Sequence, residues 1–120
     1  MRRILVVDDE ASSVSGLRTL LELDGYDVTA TESSRRALEL LAAGAFHAVI
    51  TDLEMPEVGG TELVRAALAA RSDTVVIVLT GYSASAPAAD AQAAGARRVL
   101  DKPLDYDVLA AELRSVFGDP

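Results

Sequence analysis

The chain has 120 residues, no cysteine and a formal net charge of −8, which suits one domain over residues 1–120 that is long enough to bury a real core. The lack of cysteine excludes disulfides, thiol redox chemistry and Cys-ligated zinc, and the acidic balance argues against a nucleic-acid surface on this domain. The apolar run near the first residue is too short for a signal-peptide core or a membrane span, so we expect a soluble, cytoplasmic chain without a membrane partner.

Residues 4–7 are apolar and end at three acids, Asp8, Asp9 and Glu10, which predicts a first strand with two adjacent aspartates at its carboxyl end. Apolar residues recur at helical spacing after these acids, which predicts a helix, and a stop signal ends it near residues 24–25. Those apolar positions are Val14, Leu17, Leu20 and Leu21. Residues 26–31 are predicted as the second strand. The second helix starts after a capping serine, Ser33 or Ser34, and ends at Gly44.

The third strand, Ala48–Asp52, delivers one carboxylate to the point where Pro56 and two glycines force a loop. A lone Asp at such a place often only starts a turn, so the other strand ends decide its role. A third helix is expected from residue 60 or 61 to residue 71. Residues 74–79, the most β-branched run, predict a buried fourth strand that ends at Thr80.

An Ala-rich stretch over residues 87–94 predicts a fourth helix with little apolar area to anchor it, and we expect it to be the most mobile helix. Arg98–Asp101 is predicted as a short fifth strand, followed at once by Lys102, the only lysine of the chain. A last amphipathic helix is expected over residues 104–116, and residues 118–120 carry no signal.

Five strands that alternate with five helices predict an α/β fold with a parallel sheet covered on both faces. We expect a flavodoxin-like, doubly wound (βα)5 architecture with strand order 2-1-3-4-5, whose switch point lies between strands one and three. Asp8, Asp9 and Asp52 should then converge at one edge of the sheet, with Thr80 and Lys102 arriving from the next strand ends.

Three carboxylates so close together repel one another by roughly 4 kcal/mol per contacting pair at an effective dielectric of 20, which a divalent cation would offset. Mg²⁺ suits this set because it binds a few oxygen ligands and bridges to phosphate oxygens. A carboxylate beside Mg²⁺, with a hydroxyl and an ammonium nearby, is what phosphoryl transfer onto an aspartate requires. The site residues predicted for this chemistry are Asp52, Thr80 and Lys102.

Four motifs in this order, VVDDE, DLEMP, LTGY and DKP, span the chain and resemble the receiver domain of two-component response regulators. The resemblance implies that Asp52 accepts a phosphoryl group from a histidine kinase or a His-phosphotransfer protein. It implies that Asp9, Asp52 and the backbone carbonyl of Glu54 ligate Mg²⁺, while Asp8 acts through a bound water. Thr80 and Lys102 would hold phosphoryl oxygens, and the peptide bond before Pro103 is usually cis in the family.

The same resemblance implies a phosphorylation-dependent switch rather than an enzyme, because such a domain catalyses only its own phosphorylation and dephosphorylation at aspartate. The output partner would be a downstream effector protein or a fused effector domain, and a dimer could form through the face of helix four, strand five and helix five.

One position departs from the family pattern, because Val99 stands where receivers usually carry an aromatic residue that turns inward on activation. We therefore expect phosphorylation to be read through helix four and its flanking loop, or through another surface. Two alternatives stay open: a receiver-like interaction module that no longer depends on phosphorylation, and an aspartyl-phosphate hydrolase of the haloacid dehalogenase type. The early position of the paired acids argues against the hydrolase. Bulky Glu54 and Tyr82 beside the site predict slow hydrolysis of the phosphoryl group.

Overall fold

The structure, a computed structural model, describes residues 1–118. The strands are β1 (Arg3–Val7), β2 (Asp27–Thr31), β3 (Ala48–Asp52), β4 (Val75–Thr80) and β5 (Arg98–Asp101). The helices are α1 (Ala11–Leu23), α2 (Ser34–Ala43), α3 (Gly60–Ala70), α4 (Ala86–Ala94) and α5 (Tyr106–Phe117). Every predicted element is present, and the largest difference is the start of α5, predicted at residue 104. Asp105 caps this helix by accepting from the Asp107 N–H at 3.0 Å, so the two residues before Tyr106 lie outside it.

All five strands are parallel and lie in the order β2-β1-β3-β4-β5, which confirms the predicted order. The register pairs Val7 with Thr51 and Asp52 with Leu79, so the carboxyl ends of β1, β3 and β4 lie side by side. The strand ends that carry polar residues therefore meet at one edge, at the switch point of a doubly wound sheet.

The central strands β3 and β4 are buried along their whole length, and the two faces of the sheet carry separate cores. One face packs under α2, α3 and α4, and the other under α1 and α5. Alternate strand residues supply the two cores, as the period of two of a β-strand requires. For example, Leu5 and Val49 point to the first face, and Ile4 and Ile50 to the second.

Leu20 does not take the core position that helical spacing predicted for it, because its side chain is 42% exposed. It lies at the edge of the apolar stripe of α1, where it lines a groove together with Leu17, Leu104 and Tyr106. Within residues 1–118, none of the helices combines the length and the apolar character that crossing a bilayer requires.

Candidate functional site

An acidic cluster occupies the edge of the sheet where β1 and β3 end. Asp8 and Asp52 are buried and Asp9 is exposed, and each offers a carboxylate oxygen within 4.8 Å of the other two. It is the one group of this kind among the described residues. The three aspartates predicted to converge are brought together, and hard oxygen donors at this spacing fit a divalent cation.

Lys102 reaches into this cluster from the end of β5. Its Nζ lies 2.7 Å from Asp52 Oδ1 and 3.8 Å from Asp8 Oδ2. Partial burial lowers the pKa of Lys102, but the hydrogen bond to Asp52 and the charges of Asp52, Asp8 and Asp9 outweigh it, so the pKa is raised overall. The ammonium group therefore stays charged at neutral pH and acts as a cation rather than as a base.

Asp8 is the carboxylate whose environment opposes ionisation. Burial raises the pKa of Asp8, the hydrogen bond from the Glu10 N–H at 3.0 Å lowers it, and the neighbouring charge of Asp52 raises it, with a raised pKa as the result. A charge that is unfavourable in the protein alone becomes favourable when a cation binds beside it.

Thr80 ends β4 with a buried side chain, and its Oγ1 accepts a hydrogen bond from the Tyr82 N–H at 3.3 Å. This bond uses a lone pair of the oxygen, so the hydroxyl proton can still be donated to a ligand. The loop that follows is tied to β5, because the Ser83 N–H and Oγ donate to the two carboxylate oxygens of Asp101 at 2.7 and 2.8 Å. The Lys102 N–H also donates to the Thr80 carbonyl at 2.7 Å, so the ends of β4 and β5 are joined by backbone as well as side-chain hydrogen bonds.

The loop between β3 and α3 folds back on the phosphoacceptor candidate. The Leu53 N–H donates to the Leu79 carbonyl and the Gly60 N–H to the Leu53 carbonyl, both at 2.8 Å. A Cβ on Gly60 would lie 2.5 Å from the Asp52 carbonyl oxygen, so only glycine allows this approach. The peptide bond between Lys102 and Pro103 is cis, which confirms the expectation from the resemblance.

Val99 is half-buried and packs against the core under α2, α3 and α4. Glu54 is exposed, and so is the ring of Tyr82, at 66%. Sequence reasoning missed the roles of Ser83 and Asp101 and considered Ser34 only as a helix cap. Their signal is a tertiary hydrogen bond, which no local pattern carries.

Comparison with known proteins points to one family. The family model described as "Response regulator receiver domain" matches residues 4–114. The transcriptional regulatory protein ZraR of Escherichia coli is 38% identical over 115 residues, which are 96% of this chain but 26% of that protein. The response regulator receiver protein CpdR of Brucella abortus is 34% identical over 117 residues, which are 98% of each chain.

A solved structure adds chemistry to this likeness. The response regulator protein from Burkholderia pseudomallei, described with a phosphorylated aspartic acid, a calcium ion and citrate, superposes with a TM-score of 0.83 at 28% identity. The match covers 97% of this chain and 72% of that one. In this chain, the site at the edge of the sheet consists of a buried aspartate, two further acids, a hydroxyl and a charged lysine.

Proposed function

Because the chain belongs to the family of response regulator receiver domains, we propose that residues 1–120 form one receiver domain in which Asp52 is the phosphoacceptor. The observation that carries this assignment is the 2.7 Å pair of Asp52 with Lys102 inside the cluster of three aspartates. The buried Asp52 carboxylate, held by the one lysine of the chain, would be the nucleophile that attacks phosphorus. The donor would be a phosphohistidine on a histidine kinase or a His-phosphotransfer protein.

The transfer step needs an oxygen of Asp52 to form a bond to phosphorus while the phosphorus–nitrogen bond of the donor breaks and the imidazole leaves. Lys102 would move from the Asp52 carboxylate to a phosphoryl oxygen and remain protonated, which its raised pKa supports. Thr80 would donate its hydroxyl proton to a second phosphoryl oxygen. These contacts bind the transferring group more strongly as its charge spreads, and this difference accelerates the reaction.

We propose Mg²⁺ as the cation of the cluster, ligated by Asp9, Asp52 and the Glu54 carbonyl, with Asp8 acting through a bound water. The bound cation would neutralise the carboxylates and the phosphoryl oxygens. Asp8 and Asp9 would otherwise repel an incoming phosphate, so transfer should require the cation. Asp9 is exposed and can meet a cation that arrives from solvent, whereas Asp8 is buried and would act on the cation through the bound water.

The output would be a change of partner binding. We propose that the phosphoryl group shifts an equilibrium between inactive and active conformations and that an effector protein or a fused effector domain reads the shift. The chain spans 26% of ZraR but 98% of CpdR, so relatives much longer than this chain and of about its length both occur, which supports either arrangement. The cytoplasmic location and the dimer face of α4, β5 and α5 stay predictions.

The test is the intact mass of the protein after incubation with acetyl phosphate, with and without Mg²⁺. Wild type should gain one phosphoryl group only with Mg²⁺, and Asp52→Asn should gain none. Asp73→Asn is the matched control, because Asp73 is an exposed aspartate that pairs with Arg71 at the opposite end of the sheet. Absence of labelling in wild type, together with absence of Mg²⁺ binding, would favour the interaction module that does not use phosphorylation, for which Val99 is the supporting feature.

A further inference from the structure

The loop between β3 and α3 contains a backbone turn that is costly to form. Glu57 has φ 72°, and it is the one non-glycine residue with positive φ among residues 1–118. The Val58 N–H donates to the Pro56 carbonyl at 2.9 Å, a hydrogen bond that closes a three-residue γ-turn around Glu57. A γ-turn with positive φ at its centre is rare and strained, so it persists only where surrounding contacts hold it.

Ser34 supplies those contacts from the first turn of α2. Its hydroxyl donates to the Pro56 carbonyl at 2.7 Å and accepts from the Val58 N–H at 3.1 Å, so one buried oxygen bonds both ends of the γ-turn. The neighbouring Arg35 adds an ion pair of 2.8 Å to the Glu57 carboxylate. The side chain of Arg35 is 73% exposed and that of Glu57 is 50% exposed, so this pair contributes little to stability.

The hydroxyl of Ser34 is not needed by its own helix. Ser33 is the N-cap of α2, and its side chain accepts from the Arg36 N–H at 3.1 Å. The two adjacent serines therefore have separate tasks, since one caps the helix and the other holds a loop 22 residues further along the chain.

The held turn follows closely in sequence on the loop that carries the proposed cation ligand Glu54. Leu53 is fixed to β4 and to Gly60 by its N–H and carbonyl, and Pro56 is fixed by Ser34. Only Glu54 and Met55 lie between these two anchors, and Met55 packs partly buried against the core. The direction of the Glu54 carbonyl is therefore set by an anchor on each side.

We propose that Ser34 is a positioning residue for the cation site: its hydroxyl holds the γ-turn at Glu57 and thereby aims the Glu54 carbonyl at the bound Mg²⁺. This inference rests on the proposed function. Residues that orient a metal ligand without touching the metal typically change the affinity for that metal when they are replaced.

The experiment measures Mg²⁺ binding to the folded protein by isothermal titration calorimetry for wild type, Ser34→Ala and Ser33→Ala. Ser34→Ala should weaken Mg²⁺ binding by about tenfold, the lower end of the range for outer-shell groups. Ser33→Ala should lose stability through its missing cap but keep the Mg²⁺ affinity of wild type. Ser34→Cys, which fills the buried space with a somewhat larger group that forms only weak hydrogen bonds, serves in place of Ser34→Ala if that variant does not fold.

A second variant separates positioning from general stability. Glycine adopts φ 72° without steric cost, so Glu57→Gly added to Ser34→Ala should recover Mg²⁺ affinity even though it removes the ion pair with Arg35.

Wild-type Mg²⁺ affinity in folded Ser34→Ala, or an equal loss of affinity in Ser33→Ala, would overturn the role of Ser34 and leave the phosphoacceptor assignment intact. A folded double variant as weak as Ser34→Ala would overturn the account through the strained turn. If wild type itself neither binds Mg²⁺ nor becomes labelled, the proposed function fails and this inference fails with it.

Discussion

Replacing Gly60 by alanine should damage both the fold and the phosphoacceptor site, whereas the same change at Gly59 should do neither. A Cβ on Gly60 would meet the Asp52 carbonyl oxygen at 2.5 Å and the Leu53 Cα at 2.7 Å. Both are backbone atoms beside the acidic cluster, so no side chain can rotate away. To reach an ordinary contact of 3.4 Å, the first turn of α3 would have to move by 0.9 Å, the difference between 3.4 and 2.5 Å.

This movement has a calculable cost. Overpacking of a close contact costs about 1–3 kcal/mol, and stretching the Gly60 N–H bond to the Leu53 carbonyl forfeits about 1 kcal/mol more. Gly60→Ala should therefore lose about 3 kcal/mol of unfolding free energy, a large part of the stability of a typical domain. A Cβ on Gly59 would lie 3.8 Å from the Leu53 carbonyl oxygen and its φ of −78° suits alanine, so Gly59→Ala should change stability by less than about 1 kcal/mol.

The assay is urea unfolding of both variants followed by circular dichroism, together with labelling by acetyl phosphate and Mg²⁺ under conditions where each variant is folded. Gly60→Ala should unfold at a much lower urea concentration and label more slowly than Gly59→Ala, because Asp52 is displaced. If the two variants unfold at the same urea concentration and label alike, the loop can yield and its close packing does not position Asp52.

Three further changes test other parts of the site. Asp8→Asn should stabilise the metal-free protein at neutral pH, since it removes a buried charge whose pKa is raised by burial and by Asp52. Because the folded wild type binds the proton of the Asp8 carboxyl more tightly than the unfolded chain does, the gain in unfolding free energy from Asp8→Asn should shrink as pH falls through the raised pKa of Asp8 toward 3.8. Urea unfolding at several pH values measures this change. Asp101→Ala should speed hydrogen exchange of the Ser83 amide, which Ser83→Ala should leave nearly unchanged, because only the first variant removes the amide's acceptor. Tyr82→Ala should shorten the lifetime of phosphorylated Asp52 in a mass time course, because a smaller side chain admits water.

Each of these results has an informative opposite. A metal-free Asp8→Asn variant that is less stable than wild type would mean that the attraction between Asp8 and Lys102 outweighs burial and repulsion. Equal hydrogen exchange of the residue 83 amide in Asp101→Ala and Ser83→Ala would show that Asp101 does not hold the loop. A wild-type phosphoryl lifetime of seconds would contradict the shielding role given to Tyr82.

The sheet and the position of the site could be predicted because both depend on short-range signals. Apolar runs with an acid or a hydroxyl at their carboxyl end mark strands, and the rules for parallel sheets bring such ends to one edge. Asp8, Asp52 and Thr80 follow from this reasoning alone. The same rules bring Asp8, Asp9 and Asp52 together, and the repulsion between their charges predicts a cation site before any distance is known.

What the sequence could not predict are polar contacts between distant loops. His47, in the loop before β3, accepts at its Nδ1 from the Arg3 N–H at 2.9 Å, and its ring lies against Phe117. The exposed side chains of Arg97 and Arg98 both bind Glu112 of α5. Such partners depend on how loops and helix ends are placed after packing, and no periodicity records that placement.

Because a valine stands at position 99 in place of the usual aromatic residue, the pair of hydrogen bonds between Ser83 and Asp101, here called the clamp, takes a larger part in signalling. If Thr80 moves toward a phosphoryl group, its loop must move with it, and the bonds at 2.7 and 2.8 Å link that loop to β5. A half-buried valine can report such a movement only through its packing against the core under α2, α3 and α4. The clamp, by contrast, carries it directly to the residue before Lys102. We therefore expect Asp101→Ala to weaken the effect of phosphorylation on partner binding while Asp52 is still labelled, whereas Val99→Ala should leave that effect in place. If Val99→Ala alone lost the effect of phosphorylation on partner binding, residue 99 would be the switch residue, as the aromatic residue at this position usually is.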